Sequence, residues 1–232
     1  MKKVKVALIG TGNWCLQHCR VLKENPKVEF CGILGRNKER TKRRAKLFDV
    51  PYYLDLNELI KNQKPNLINI CLPNEHHFDM TMDVIKSSCN LFVEKPLVFK
   101  MQEAKKLLAE AKKRKLFFGI NFNWRYSTPV RMALKAIKGN KLGDINFITW
   151  RFGGTGGGEN KFGNLIETQC HGFDMLEFLN GPIQSVHSFM TNKTKNGYST
   201  FVVSLKFANQ SIGSILGSYD TSYAYPNTHY ME

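Results

Sequence analysis

Residues 4–15 read VKVALIGTGNWC, and they decide the fold. Val4 to Ile9 is an apolar-rich run of strand length, Gly10-Thr11-Gly12 is a turn, and helical spacing begins near Trp14. Strand, Gly-x-Gly and helix in that order open a βαβ unit of the dinucleotide-binding type. Gly10 permits the tight turn, and Gly12 lets the backbone approach a pyrophosphate. The next helix offers free N–H groups and the positive end of its dipole to the phosphates. Dinucleotide contacts are therefore expected along Gly10, Thr11, Gly12, Asn13 and Trp14. The third fingerprint position is Cys15, small but not glycine. A plain tight turn is the alternative, and the flanking strand and helix argue against it.

Outward from this unit, apolar strands alternate with longer amphipathic stretches. Strands are predicted at Val4 to Ile9, Val28 to Leu34, Leu67 to Cys71, Leu91 to Val93 and Leu116 to Ile120. Helices are predicted at Trp14 to Lys23, Lys38 to Phe48, Leu56 to Asn62, Glu75 to Ser87 and Met101 to Lys113. Continuous apolar strands separated by helices imply parallel pairing with both faces covered, so residues 1–120 form a doubly wound α/β domain. Beyond Asn121 the texture changes. A helix at Val130 to Ile137 leads to a strand at Ile145 to Phe152, a glycine-rich loop at 153–158 and a helix at about Asn164 to Leu179. Strands at Ile183 to Met190, Ser199 to Phe207 and Ser211 to Ser218 then follow through short polar turns. Residues 121–232 are therefore an α+β domain with a mainly antiparallel open sheet. In Ser199 to Phe207, Phe201, Val203, Leu205 and Phe207 line one face, and the mixed opposite face suits solvent or a subunit interface.

The chain has 232 residues, 42% hydrophobic, 12% aromatic and 23% charged, which excludes collagen-like, disordered and coiled-coil classes. No apolar run approaches the ~18 residues of a membrane span. The start has too short an apolar stretch for a signal-peptide core, which points to the cytoplasm. The six cysteines show no CxxC pair and read as reduced core thiols. The net charge of +15 raises nucleic acid or membrane partners, but its distribution argues against both. Residues 1–120 hold 24 Lys and Arg against 12 Asp and Glu, and the remainder holds 10 against 7. The excess lies in Lys38 to Lys46 and Lys105 to Lys115, whose helical spacing reads as solvated helix faces. Attraction of an anionic cofactor or substrate, or a salt-sensitive polyanion contact, is the other reading.

Three further clusters carry chemistry. At the end of the second strand, where Asp or Glu would bind the ribose 2′-OH of NAD, the chain has Gly35-Arg36-Asn37. With no carboxylate to repel a 2′-phosphate and Arg36 to pair with it, NADP is favoured and NAD possible. Arg36 could also stack on adenine or face solvent. Lys95, in Phe92-Val93-Glu94-Lys95-Pro96, lies at the carboxyl end of a strand, where ligands sit in such sheets. It can hold a substrate hydroxyl and stabilise a developing alkoxide; a surface lysine near a turn is the plain alternative. Glu167, His171 and Asp174 are spaced four and three apart and fall on one face of a continuous helix. Histidine titrates near neutrality and suits proton transfer, with a carboxylate one turn away to orient it. Ordinary surface pairing is the alternative, and no further ligand supports a metal site.

Taken together these signals resemble the glucose-fructose oxidoreductase/inositol dehydrogenase (Gfo/Idh/MocA) family over nearly the whole chain. The glycine turn leads to His18; Pro73-Asn74-Glu75-His76-His77 is similar to the family's PNxxH turn; Glu94-Lys95-Pro96 is its signature. NFNWRYSTP at 121–129 resembles the family's NxRxxP-type segment, and His171 with Asp174 matches its HxxD helix. The resemblance implies an NAD(P)-dependent oxidoreductase passing hydride between nicotinamide and a carbon of a sugar, sugar derivative or cyclitol. It implies that Lys95 orients and polarises the substrate hydroxyl and that His171 is the acid/base. Glu167 stands where the family usually has Asp. Pro73, Asn74 and His77 would line the nicotinamide end, Leu72, Glu94 and Lys95 would also bind the cofactor, and Arg125, Asn164 and Asp174 would contact substrate.

The glycine run at 153–158 departs from the family and reads as a mobile loop near the substrate mouth. Family members usually have a longer second domain. The stop at Glu232, where another strand is starting, implies a fragment, a truncated product, or a short variant that completes its sheet by self-association. A homo-oligomer through the C-terminal sheet is expected. A non-catalytic dinucleotide-binding sensor or scaffold of the same fold is the alternative function.

Overall fold

The computed structural model describes residues 2–154, 160–192, 197–221 and, for the backbone, 229–231. Most of the glycine run at 153–158 lies outside the described residues. The chain divides after Asn121 into two compact units.

The first unit begins β1 (Val4–Ile9), α1 (Asn13–Glu24), β2 (Val28–Leu34), α2 (Lys38–Phe48), β3 (Tyr52–Tyr53) and α3 (Leu56–Gln63). It continues β4 (Leu67–Ile70), α4 (His77–Lys86), β5 (Asn90–Val93), α5 (Met101–Lys113) and β6 (Phe118–Ile120). All six strands pair in parallel in the order β3-β2-β1-β4-β5-β6. Burial on both faces explains the continuous apolar strands. Ala7 and Ile9 point to a core shared with Ile68, Ile70, Leu91 and Leu107, while Leu8 points to the other side with Cys15, Cys19 and Ile33. Burying each such Leu or Ile side chain contributes about 1.5–3 kcal/mol before chain entropy is counted. Burial pushes the Cys19 thiol up to about 12 and that of Cys31 to about 11, so both stay protonated and pack as small apolar groups. The two-residue β3 was not foreseen. The helix expected from Glu75 starts instead as a 3-10 turn, Asn74–His76. The basic residues of α2 and α5 are mostly exposed.

The second unit holds a 3-10 turn (Asn123–Tyr126), α6 (Thr128–Lys138), β7 (Phe147–Gly153), α7 (Cys170–Asn180), β8 (Ile183–Thr191), β9 (Thr200–Phe207), β10 (Ile212–Ser218) and β11 (His229–Met231). The sheet order is β11-β7-β10-β9-β8. It is mainly antiparallel, but β7 and β10 run parallel, because the chain crosses over through α7 and two further strands before β10 joins. Along β9 the apolar positions Phe201, Val203, Leu205 and Phe207 are buried and the alternate ones are not, as period two requires. The buried face packs on Met175, Leu176 and Leu179 of α7.

The expected continuous helix from Asn164 is interrupted. Residues Asn164–Thr168 form a π-helical turn, closed by the Gln169 N–H donating to the Asn164 carbonyl five residues back at 3.0 Å. Gly172 lets α7 lie against Trp150, since a Cβ there would come within 2.5 Å of the indole.

Candidate functional site

In the first unit the strands are parallel, so their carboxyl ends gather at one edge: the glycine turn after β1, Gly35-Arg36 after β2, Leu72-Pro73 beyond β4 and Glu94-Lys95 after β5. The strand order reverses direction between β1 and β4, and crevices at such points hold dinucleotides. Gly10 has φ +131°, and a Cβ on it would lie 2.0 Å from the Cys71 carbonyl oxygen, so only glycine closes the turn. A Cβ on Gly12 would meet nothing nearer than the Cys15 sulfur at 3.9 Å. That side of the turn is open, as close approach by a pyrophosphate demands. No side chain caps α1 and no acidic residue occupies its first turn, whereas Asn37 Oδ1 caps α2 by accepting from the Arg40 N–H at 2.9 Å. The uncapped N–H groups and bare Gly12 fit a dinucleotide phosphate. Trp14 is exposed beside this turn and Arg36 is exposed at the end of β2.

Glu94 is the buried carboxylate of the unit, at 5% exposure. His18 Nε2 lies 2.8 Å from its Oε1, Asn121 Nδ2 donates to the same oxygen, and the Lys95 backbone N–H donates to Oε2 at 3.2 Å. Asn69 Nδ2 is 2.9 Å from His18 Nδ1. A proton on His18 Nε2 donates to the Glu94 carboxylate, which can only accept. Burial alone would raise the Glu94 carboxyl, but the bonds from His18 and Asn121 outweigh it and hold the group below the ordinary Glu range. The fixed carboxylate pins the backbone of Lys95, whose peptide bond to Pro96 is cis.

His77 corrects the expectation that it lines the nicotinamide end. It is fully buried, with Nδ1 2.8 Å from the Pro96 carbonyl oxygen and Nε2 2.9 Å from that of Leu72. A carbonyl oxygen only accepts and a neutral ring carries one N–H, so His77 donates to one of these two carbonyls, and the buried ring packs between the Leu72-Pro73 segment and the turn after Lys95. Asn74 starts the 3-10 turn that precedes it.

In the second unit His171 is partly buried on α7, edge-on to Phe122 at 6.1 Å and to Trp124 at 6.4 Å between ring centroids. Arg125 and Asp174, expected at the substrate, pair with each other. Arg125 Nε donates to Asp174 Oδ2 at 2.8 Å, and Nη2 donates to Oδ1. The guanidinium also lies over Phe178 at 4.8 Å. The bidentate bond to Asp174 raises the Arg125 pKa against the opposing effect of burial. The pair fastens the 3-10 turn carrying Trp124 to the helix carrying His171. Asn164, 2% exposed, donates from Nδ2 to the Ser199 carbonyl at 2.7 Å and accepts from Gln169 Nε2 on Oδ1 at 3.2 Å, so it is a core strut as well. Glu167 lies in the π turn and His171 on α7, so a spacing of four no longer places them on one face of a continuous helix. His171 and Asp174 do share α7 at a spacing of three.

Sequence reasoning missed three residues. His18 and Asn121 were quoted only as parts of motifs, although a buried carboxylate at a strand end calls for donors. Arg44, counted among the solvated charges of α2, reaches the glycine turn.

The profile of the oxidoreductase family with an NAD-binding Rossmann fold matches residues 4–122, and that of the GFO/IDH/MocA C-terminal domain matches 130–231. An uncharacterised oxidoreductase of Synechocystis sp. is 25% identical over 194 residues, 78% of this chain and 52% of that protein. D-glucoside 3-dehydrogenase of Escherichia coli is 22% identical over 214 residues, 85% of this chain and 61% of that protein. The chain thus spans only about half the length of curated relatives such as the first. The WlbA dehydrogenase of Bordetella pertussis, solved with NADH and UDP-GlcNAcA, superposes with a TM-score of 0.88 at 16% identity, over 99% of this chain and 70% of that one. With both units matched in order, the chain belongs to the Gfo/Idh/MocA oxidoreductase family.

Proposed function

We propose that this chain is an NADP-preferring dehydrogenase or reductase of the family, acting on a hydroxyl or carbonyl carbon of a sugar, sugar derivative or cyclitol. One observation carries it: the open, uncapped glycine turn and the pinned Glu94-Lys95-Pro96 turn leave the carboxyl edge of one parallel sheet. The dinucleotide phosphates would lie against the N–H groups that follow Gly12, with Trp14 beside them. Arg36, with no carboxylate at 35–37, favours a 2′-phosphate. A bound nicotinamide dinucleotide supplies the carbon that takes or gives the hydride. The His171 imidazole would take the hydroxyl proton, and Lys95 Nζ would donate to the substrate oxygen and stabilise the alkoxide so formed until the C=O bond forms as hydride leaves. Glu167 is placed near this chemistry by resemblance alone. E. coli D-glucoside 3-dehydrogenase and WlbA, with its bound nucleotide sugar, support a sugar-like substrate. Six cysteines with no disulfide among them suit a reducing cytoplasm, and the outer face of the second sheet suits a homo-oligomer.

Titration with NADPH and with NADH, followed by quenching of Trp14 fluorescence, tests the cofactor. Tighter NADPH binding is expected; tighter NADH binding would overturn the preference and leave the enzyme. Over a panel of sugars and cyclitols, Lys95→Ala is expected to lower kcat by at least about a hundredfold with the dinucleotide Kd nearly unchanged. Unchanged turnover would overturn the role of Lys95. Tight dinucleotide binding by a wild-type chain that turns over nothing would favour the non-catalytic sensor.

A further inference from the structure

Arg44 stands apart from the other basic residues of α2. Thr41, three residues earlier, is fully buried against the end of β2, where a Cβ on Gly35 would come within 2.5 Å of its Oγ1 and 2.6 Å of Thr11 Cγ2. Contact between α2, the end of β2 and the glycine turn therefore fixes the face of the helix on which Thr41 and Arg44 both lie. One turn along, Arg44 Nε donates to the Thr11 carbonyl and Nη2 to Asn13 Oδ1, each at 3.4 Å. The guanidinium fork thus spans the two residues that flank Gly12.

Both acceptors are neutral and both bonds are long, so three of the five guanidinium donors stay uncommitted. Arg44 enters none of the ion pairs among the described residues. It is half-buried, unlike the exposed Arg36, Arg40 and Arg43, so solvent screens its charge less. A partly shielded cation with spare donors, aimed at a turn whose bare glycine and uncapped helix already fit an anion, has the chemistry of a phosphate ligand.

We propose that Arg44 is a phosphate-binding residue of the dinucleotide site, which deepens and rests on the function proposed above. The phosphate has two sources. The 2′-phosphate of NADP belongs near the end of β2, and the pyrophosphate common to both nucleotides belongs at the start of α1.

The test is calorimetric titration of the full chain and of Arg44→Gln and Arg44→Lys with NADPH and with NADH at several salt concentrations. A lost charged hydrogen bond predicts that Arg44→Gln weakens binding about 10- to 100-fold, with a shallower salt dependence. Arg44→Lys keeps the charge and is expected to recover part of the loss. A loss confined to NADPH assigns Arg44 to the 2′-phosphate, and an equal loss for both assigns it to the pyrophosphate. Unchanged affinity for both nucleotides overturns the proposal. So does weaker binding with an unchanged salt slope and a lowered Tm, because a merely structural arginine would act that way. A wild-type chain that binds neither nucleotide refutes the proposed function, and the role of Arg44 with it. Binding by wild type with no effect of Arg44→Gln refutes the role alone.

Discussion

At the scale of single residues, the site is built on groups whose partners are fixed. Glu94 shows the energetics. A buried carboxylate is costly unless donors surround it, and here His18, Asn121 and the Lys95 N–H supply them. Its pKa is lowered in the native state, so the linkage has a definite sign. The stabilisation is complete above the ordinary Glu value of ~4.3 and is lost as pH falls through the lowered native value. Glu94→Gln turns one acceptor into a donor facing other donors, and about 1–3 kcal/mol of stability should be lost near neutrality. The gap between wild type and Glu94→Gln should then narrow as pH falls from 6 to 3, read from urea unfolding at each pH. A gap that stays constant would mean that the carboxylate is not what holds this turn. Part of this was legible in the sequence: Gly10 takes the positive φ that its turn requires, and Glu94-Lys95 follows the end of β5 as the strand pattern suggested. His77 and Asn164 are buried struts instead of exposed contacts, and for one reason. A polar side chain in a motif looks the same in sequence whether it faces a ligand or satisfies a buried carbonyl or carboxylate.

At the scale of elements, hydrophobic period found every long strand and helix of the first unit, because period two and period 3.6 repeat over enough residues to be seen. It missed the two-residue β3 for want of length. The π turn at Asn164–Thr168 was invisible for a different cause: one extra residue in a helical turn leaves composition untouched and shifts only the phase. Tertiary bonds hold that shift in place. Trp150 Nε1 donates to Gln169 Oε1 at 2.9 Å, Gln169 donates to Asn164, and Asn164 donates to the Ser199 carbonyl just before β9. Breaking the chain at Asn164→Ala leaves buried partners unmatched and should cost about 1–3 kcal/mol. Hydrogen exchange would locate the damage. Amides from Asn164 to His171 should lose protection selectively, while those of β1 and β4 keep theirs. Uniform loss of protection across the chain would show that the π turn has no local support of its own.

At the scale of the whole molecule, the least readable features were long-range ones. The parallel pairing of β7 with β10 joins residues 65 apart, such as Phe147 and Ile212, and no local pattern encodes it. The outer face of the same sheet was readable, because alternation in β9 placed Val202 opposite the buried set. Register puts Leu216, Val202 and Phe189 in one row across β10, β9 and β8, and pairs Phe147 with Ile212. Phe189 is 74% exposed and Ile212 57%. These large apolar side chains lie in two rows of one sheet face, separated by the polar row of Thr149, Ser214, Ser204 and His187, and leave exposed apolar surface of the kind that marks an interface. Arg151 and Lys206 lie on the same face and oppose indiscriminate stacking. We therefore expect self-association through this face, seen by sedimentation as a species heavier than one chain. Phe189→Glu would place a charge at the β8 end of the apolar row and should shift the population to monomer, with NADPH affinity and circular dichroism unchanged because the phosphate turn belongs to the other unit. A wild-type chain that sediments as a monomer at high concentration would refute self-association. If Phe189→Glu leaves the oligomer intact, the interface lies elsewhere and the patch needs a different occupant.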